Sequence, residues 1–198
     1  MAELSHDALN TIFLEARTRN GWQDKPVPEQ LLREIYDVAK MGPTTANSQP
    51  QRIVFVTTPE AKKRLEPALG EGNRAKTMKA PVVAIFANDM RFFELQAKVL
   101  PHKPESRTWF DYPGNEAALQ ETVLRNGSLQ AAYFMIAARA KGLDCGPMSG
   151  FDQGKVNAAF FPDGRFKANF ICSLGYGTDE NLFGRSPRHT FDEACTVV

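Results

Sequence analysis

The chain has 198 residues, 42% of them hydrophobic and 24% charged, which is the composition of an ordinary globular protein. Its 24 basic and 23 acidic residues give a formal net charge of +1, so it lacks the strongly positive surface of a protein that binds nucleic acid or an anionic membrane. No apolar run approaches the ~20 residues of a membrane span, and the first ten residues do not resemble a secretory signal. Its three widely spaced cysteines favour free, inertly packed thiols in a reducing cytoplasm.

Periodic hydrophobic positions predict the elements of one α/β-type domain over residues 1–198. Helices are predicted at 4–18, 28–40, 59–69, 116–141 and near 152–160, and strands at 52–58, 81–88 and 167–177. Residues 90–114 lack periodicity, which is typical of a loop or lid. The apolar positions expected to face inward on the second helix are Leu31, Leu32, Ile35, Val38 and Ala39. On the longest helix they are Leu119, Val123, Leu129, Ala132, Tyr133, Ile136 and Ala137.

Several common catalytic and binding motifs are missing. No GxGxxG follows a strand and no GxxxxGK[ST] occurs, so neither a dinucleotide fingerprint nor a P-loop is predicted. HExxH and CxxC spacings are absent, so no metal site is expected. The GxSxG pattern of a serine nucleophile is absent as well.

Four polar stretches lie beside the predicted elements, at 16–22, 42–50, 72–76 and 184–188. They supply cations suited to a phosphate, and amides and hydroxyls suited to the edge of a heterocycle. Gly146 and Gly150 in GPMSGF would let a planar ring approach the backbone. Each stretch alone is most simply a solvated loop or a helix cap. Together they suggest, from the residues only, a site for a phosphorylated heterocycle.

The blocks RTRNGW, GPTTANSQP, NRAK, GPMSGF and the basic tail resemble, in order and spacing, the FMN-dependent nitroreductase family. Within it, GLDCGPMSGFD, LGYG and the tail are most similar to the malonic semialdehyde reductases of the Rut pathway of pyrimidine degradation. The resemblance implies an α+β fold with a mainly antiparallel sheet flanked by helices. It also implies an intertwined homodimer with a C-terminal extension and FMN at the subunit interface.

The resemblance also assigns cofactor-binding residues, block by block. These are Arg17, Thr18 and Asn20; Pro43, Thr44, Thr45 and Asn47, with Gln49 nearby; Asn73 and Lys76; Pro147, Met148, Ser149 and Gly150; and Arg185 and Arg188. The family usually has a basic residue where Asn20 stands, so Arg19 is an alternative there. Many relatives have glutamate where Ser149 stands, a difference that favours an anionic substrate.

The activity implied is hydride transfer from NAD(P)H through FMN to a small aldehyde, giving 3-hydroxypropionate from malonic semialdehyde. Arg107 or His102, on the expected lid, would bind the substrate carboxylate, and no catalytic residue is assigned. A nitro- or enone-reducing flavoenzyme of broad specificity, a flavin-binding protein without redox turnover, and a protein without a ligand remain as alternatives.

Overall fold

The computed structural model describes residues 2–198. The helices are α1 (His6–Leu9), α2 (Glu29–Ala39), α3 (Pro59–Leu65), α4 (Glu71–Lys79), α5 (Gln96–Val99), α6 (Glu116–Ala140), α7 (Gln153–Phe160) and α8 (Phe191–Ala194). The strands are β1 (Gly21–Trp22), β2 (Gln51–Val56), β3 (Val82–Asp89), β4 (Asp144–Met148), β5 (Phe166–Gly175) and β6 (Gly177–Thr178). None of these described helices has the length and hydropathy needed to cross a membrane.

The main sheet has four strands in the order β2-β3-β5-β4, and every neighbouring pair is antiparallel. Strands β1 and β6 form a separate two-stranded ribbon. The expected α+β fold, with an antiparallel sheet flanked by helices, is therefore confirmed. Strand β4 was not predicted, and its sequence DCGPM contains a glycine and a proline, which are uncommon inside strands.

Strand β3 is buried along its whole length, and its alternating side chains divide the core in two. Val82, Ala84 and Phe86 face a cluster built with α2 and α6. Val83 and Ile85 face a second cluster, which contains residues of α3 and α7. The two faces of the sheet are thus covered by different helices.

Helix α6 has nearly the predicted length, but part of its inward face was assigned wrongly. Leu129 is 40% exposed, whereas the polar Asn126 and Gln130 and the small Gly127 are buried. The amide of Gln130 accepts a hydrogen bond from the backbone N–H of Gln51 at 2.9 Å, which compensates for its burial. On α2, Val38 was also placed wrongly in the core, since half of its surface is exposed.

Three other segments differ from their predictions. The first helix is shorter than predicted and continues into a π-helical turn, Asn10–Leu14. Residues 90–114 contain α5 and two short 3₁₀ segments, Phe92–Leu95 and Pro104–Trp109. Residues 72–76, expected beside an element, lie inside α4.

The close packing of Gly42, just after α2, leaves no space for a side chain at this position. A Cβ atom at this position would lie 2.1 Å from Cδ2 of the Tyr133 ring. We expect Gly42→Ala to lower the free energy of unfolding by about 2–3 kcal/mol, because a packed ring must move. Urea denaturation measures this loss. Gly184→Ala is the control, since a Cβ there meets no atom within 4 Å. If the two variants had the same free energy of unfolding, a side chain at position 42 would not disturb the packing.

Candidate functional site

A cavity of about 830 Å³ opens between the N-terminal segment, α4, the end of α6 and the C-terminal tail. Its volume lies within the roughly 300–1,000 Å³ of small-molecule sites. Five cationic side chains line it, and no acidic side chain does. They are Arg17, Lys76, Arg139, Arg185 and Arg188. The remaining lining residues are Phe13, Leu14, Ala16, Thr18, Asn20, Leu182, Phe183, Gly184 and Ser186.

Strand β4 places the N-terminal wall of the cavity. Thr18 forms an isolated parallel bridge with Cys145, and the N–H of Arg19 donates to the Cys145 carbonyl at 3.1 Å. Helix α4 places the adjoining wall, where Nζ of Lys76 donates to Oδ1 of Asn20 at 3.1 Å. The cavity therefore depends on β4, a strand that was not predicted from the sequence.

The C-terminal tail closes one side of the cavity. The N-terminal segment donates hydrogen bonds to the tail, and the tail donates one to the N-terminal segment. Arg17 donates from its guanidinium to the carbonyl of Phe183, and Arg185 donates to the carbonyl of Ala16 at 3.2 Å. Nδ2 of Asn20 donates to the carbonyl of Asn181 at 3.1 Å. Each of these three side chains both lines the cavity and fastens one of its walls.

The positive charge of the cavity is not neutralised within the described chain. The ion pairs among residues 2–198 leave all five cations without a carboxylate within 4.0 Å. Like charges held close together repel one another, so an anion would be stabilised here.

Arg19 differs from these five cations. It pairs with Asp144 at 3.5 Å and with Asp179, and it does not line the cavity. Of the two alternatives at this position, Asn20 lines the cavity and Arg19 does not.

The fourth block lies next to α4. The carbonyl of Gly150 accepts from the N–H of Gly70 and from Nδ2 of Asn73, both at 3.0 Å. Oγ1 of Thr77 lies 3.2 Å from Sδ of Met148. Pro147 and Met148 are in β4, and Ser149 and Gly150 are exposed just after it. Four of the five predicted blocks are thus neighbours in space.

The second block, residues 42–50, is apart from the cavity and lies against α6. Ala46, Asn47 and Gln49 have φ angles of 49°, 51° and 43°, a left-handed conformation that is uncommon for residues other than glycine. Pro43, Thr44, Thr45 and Asn47 do not line the cavity.

Side chains outside the block hold its unusual backbone. Oδ1 of the buried Asn126 accepts from the N–H of Thr45 at 2.8 Å, and Gln96 donates to the carbonyl of Ala46 at 2.6 Å. The Tyr133 hydroxyl donates to the carbonyl of Pro43 at 3.1 Å. This polar face is fixed by buried amides on α5 and α6.

Arg107 and His102 also lie outside the cavity. Arg107 is about half exposed and donates two hydrogen bonds to Oδ2 of Asp111, at 3.0 Å from Nε and 2.8 Å from Nη2. His102 is exposed. The structure thus brings neither residue to the cationic cavity.

The cavity contains one cation that the sequence analysis missed. Arg139 merely ended an apolar run in the sequence, and only the packing of α6 beside the N-terminal segment brings it to the cavity. Of the three cysteines, Cys145 and Cys172 are buried and Cys195 is exposed. Burial raises the pKa of the Cys172 thiol well above its usual value, with a hydrogen bond to Cys145 as the next cause, so little thiolate forms.

The sequence profile of the nitroreductase family matches residues 17–176. The chain belongs to the nitroreductase family. A protein of Burkholderia lata named "Putative NADH dehydrogenase/NAD(P)H nitroreductase" is 53% identical over the full length of both chains.

Solved structures show the same fold. A nitroreductase-like protein from Exiguobacterium sibiricum, crystallised in complex with FMN, has a TM-score of 0.84 at 18% identity and full coverage of both chains. A gut-bacterial enone reductase has a TM-score of 0.80 at 18% identity, covering 99% of this chain and 100% of its own. At these identities the likeness concerns the fold alone.

The contact between Asn126 and Thr45 generates a prediction about the strained loop. Asn126→Ala removes the acceptor of the Thr45 N–H, and we expect unfolding to become easier by about 1–3 kcal/mol. The Thr45 amide should also exchange with deuterium faster, which NMR measures residue by residue. Asn169→Ala is the control, because that amide bonds Ser128 at 3.0 Å, away from the loop. Identical Thr45 exchange in both variants would refute the role of Asn126.

Proposed function

We propose that this nitroreductase-family protein is an NAD(P)H-dependent FMN oxidoreductase whose cationic cavity holds the phosphate end of the cofactor. The observation that carries the proposal is the set of five cations without an acidic neighbour. A phosphate dianion matches this charge, and the four arginines among the five cations can bind it bidentately. The FMN complex of the Exiguobacterium protein and the NAD(P)H in the name of the Burkholderia relative support both ligands.

The rest of the proposed site follows α4 and the end of β4. Asn73 and Lys76 are three residues apart on α4 and therefore lie on one face of the helix, where they would meet the polar edge of the flavin ring. The charge on Lys76 would stabilise negative charge that develops on that edge. Pro147 to Gly150 would lie beside the ring, and Gly150 contacts Asn73 closely, since a Cβ atom on the glycine would lie 2.5 Å from Nδ2 of Asn73.

We further propose that the site is completed in a homodimer. The loop at 42–50 presents hydroxyl and amide groups but does not line the cavity of its own chain. A second copy would bring this loop to the other flank of the flavin. Large apolar side chains exposed on α2 and α6, or just after α2, support such a contact surface: Tyr36, Val38, Met41, Leu124 and Leu129.

The proposed substrate is malonic semialdehyde, reduced to 3-hydroxypropionate in pyrimidine degradation. Bound FMN supplies the hydride transfer between NAD(P)H and the aldehyde carbon. The chain's own residues bind and orient the reactants and lend positive charge to the site. Ser149 contributes no carboxylate beside the ring, which suits an anionic substrate.

A second candidate is reduction of nitro compounds or enones with broad specificity. The name of the Burkholderia relative and the likeness in fold to an enone reductase favour it. It requires the same flavin site and differs only in the acceptor.

The spectrum of the FMN-reconstituted protein tests both candidates. We expect NADPH to bleach the flavin absorbance without oxygen, and malonic semialdehyde to restore it at a higher rate than a nitroaromatic compound. If the flavin absorbance recovers with the nitroaromatic compound but not with malonic semialdehyde, the second candidate is favoured. Absence of flavin absorbance after reconstitution would reject the cofactor.

Arg107 is proposed to bind the substrate carboxylate, and this requires it to exchange Asp111 for the substrate. We expect Arg107→Ala to raise the KM for malonic semialdehyde roughly tenfold, the effect of one lost charged hydrogen bond, and to leave the KM for an uncharged aldehyde unchanged. Steady-state kinetics measures both. Arg33→Ala is the matched control, since Arg33 makes a similar exposed pair with Glu29 on α2. An unchanged KM for the semialdehyde would remove Arg107 from the site.

A further inference from the structure

Arg139 lies in the last turn of α6, where this helix meets the cavity. Its side chain is partly buried, and Nη1 donates to the carbonyl of Ile12 at 3.0 Å. Its Nε is buried and has no hydrogen-bond partner within the described residues. No carboxylate of residues 2–198 pairs with this guanidinium. One backbone carbonyl is therefore its only protein acceptor.

This arrangement is unusual for an arginine. The guanidinium stays protonated at any working pH, and a partly buried charge is expected to have a compensating partner. The C-terminal end of a helix favours a cation, which accounts for part of the stability of this charge. The cavity beside it holds four further cations, however, so its neighbours there repel it.

We infer that Arg139 is an additional ligand of the cofactor phosphate, acting with Arg17, Arg185 and Arg188. Its Nη1 meanwhile holds the π-helical turn Asn10–Leu14, whose Phe13 and Leu14 form part of the cavity wall. The inference rests on the proposed function, because it assumes that the anion is the FMN phosphate. It adds a residue from the end of a core helix to a set otherwise drawn from the two terminal segments.

Riboflavin, which lacks the phosphate, separates this role from a structural one. The dissociation constants of FMN and riboflavin are measured by quenching of flavin fluorescence for the wild type, Arg139→Met, Arg139→Lys and the control Arg125→Met. Arg125 is an exposed residue of the same helix that pairs with Glu121. Urea unfolding of each variant reports whether it is folded.

We expect Arg139→Met to weaken FMN binding by about 10- to 100-fold, the range for a lost charged hydrogen bond, and riboflavin binding by less than about twofold. Arg139→Lys should recover part of the FMN affinity because it keeps the charge but loses the planar fork. Arg125→Met should bind both flavins as the wild type does.

Other outcomes overturn the inference in distinguishable ways. Equal weakening of FMN and riboflavin would mean that Arg139 only supports the turn at Asn10–Leu14. If the wild type prefers FMN to riboflavin and Arg139→Met binds FMN as tightly as the wild type, Arg139 is not a phosphate ligand. The proposed function would then remain intact. A wild type that binds neither flavin would reject the proposed function, and this inference with it.

Discussion

The burial of β3 on both faces is the constraint on which the rest of the fold depends. Its alternating side chains assign α2 and α6 to one face of the sheet and α3 and α7 to the other. This assignment brings the end of α6 to the N-terminal segment, and it leaves β4 at the sheet edge, where Cys145 bridges to Thr18. The cationic cavity is thus a consequence of how the sheet is covered.

The arginines of this chain fall into two groups, which differ in whether a carboxylate neutralises their charge. Arg52 and Arg165 both bind the buried carboxylate of Asp89, so these charges are paired within the fold. The cavity arginines bind backbone carbonyls instead, as Arg17 and Arg185 do. A carbonyl fixes the direction of a guanidinium without cancelling its charge. The site is therefore organised in advance and still attracts anions.

Hydrophobic periodicity predicted the long helices and the two central strands, because burial controls those segments. It could not predict that Asn126 and Gln130 face inward, since their burial depends on hydrogen bonds to a loop distant in sequence. It also missed β4, whose glycine and proline are tolerated at the sheet edge. For the site, the resemblance indicated five blocks, and the fold places four of them side by side. Arg139 could not be found from the sequence, because only the packing of α6 brings it to the cavity.

The reciprocal contacts between the two terminal segments have a consequence for biosynthesis. In the chain, Arg17 precedes all strands of the main sheet, and Arg185 and Arg188 follow them. The main sheet is complete in sequence at Gly175, where β5 ends, so all of its strands are synthesised before the tail. The cavity is not complete at that residue, since two of its cations and part of its wall belong to the tail. Its anion can therefore bind only after the tail has been synthesised, later than every strand of the sheet.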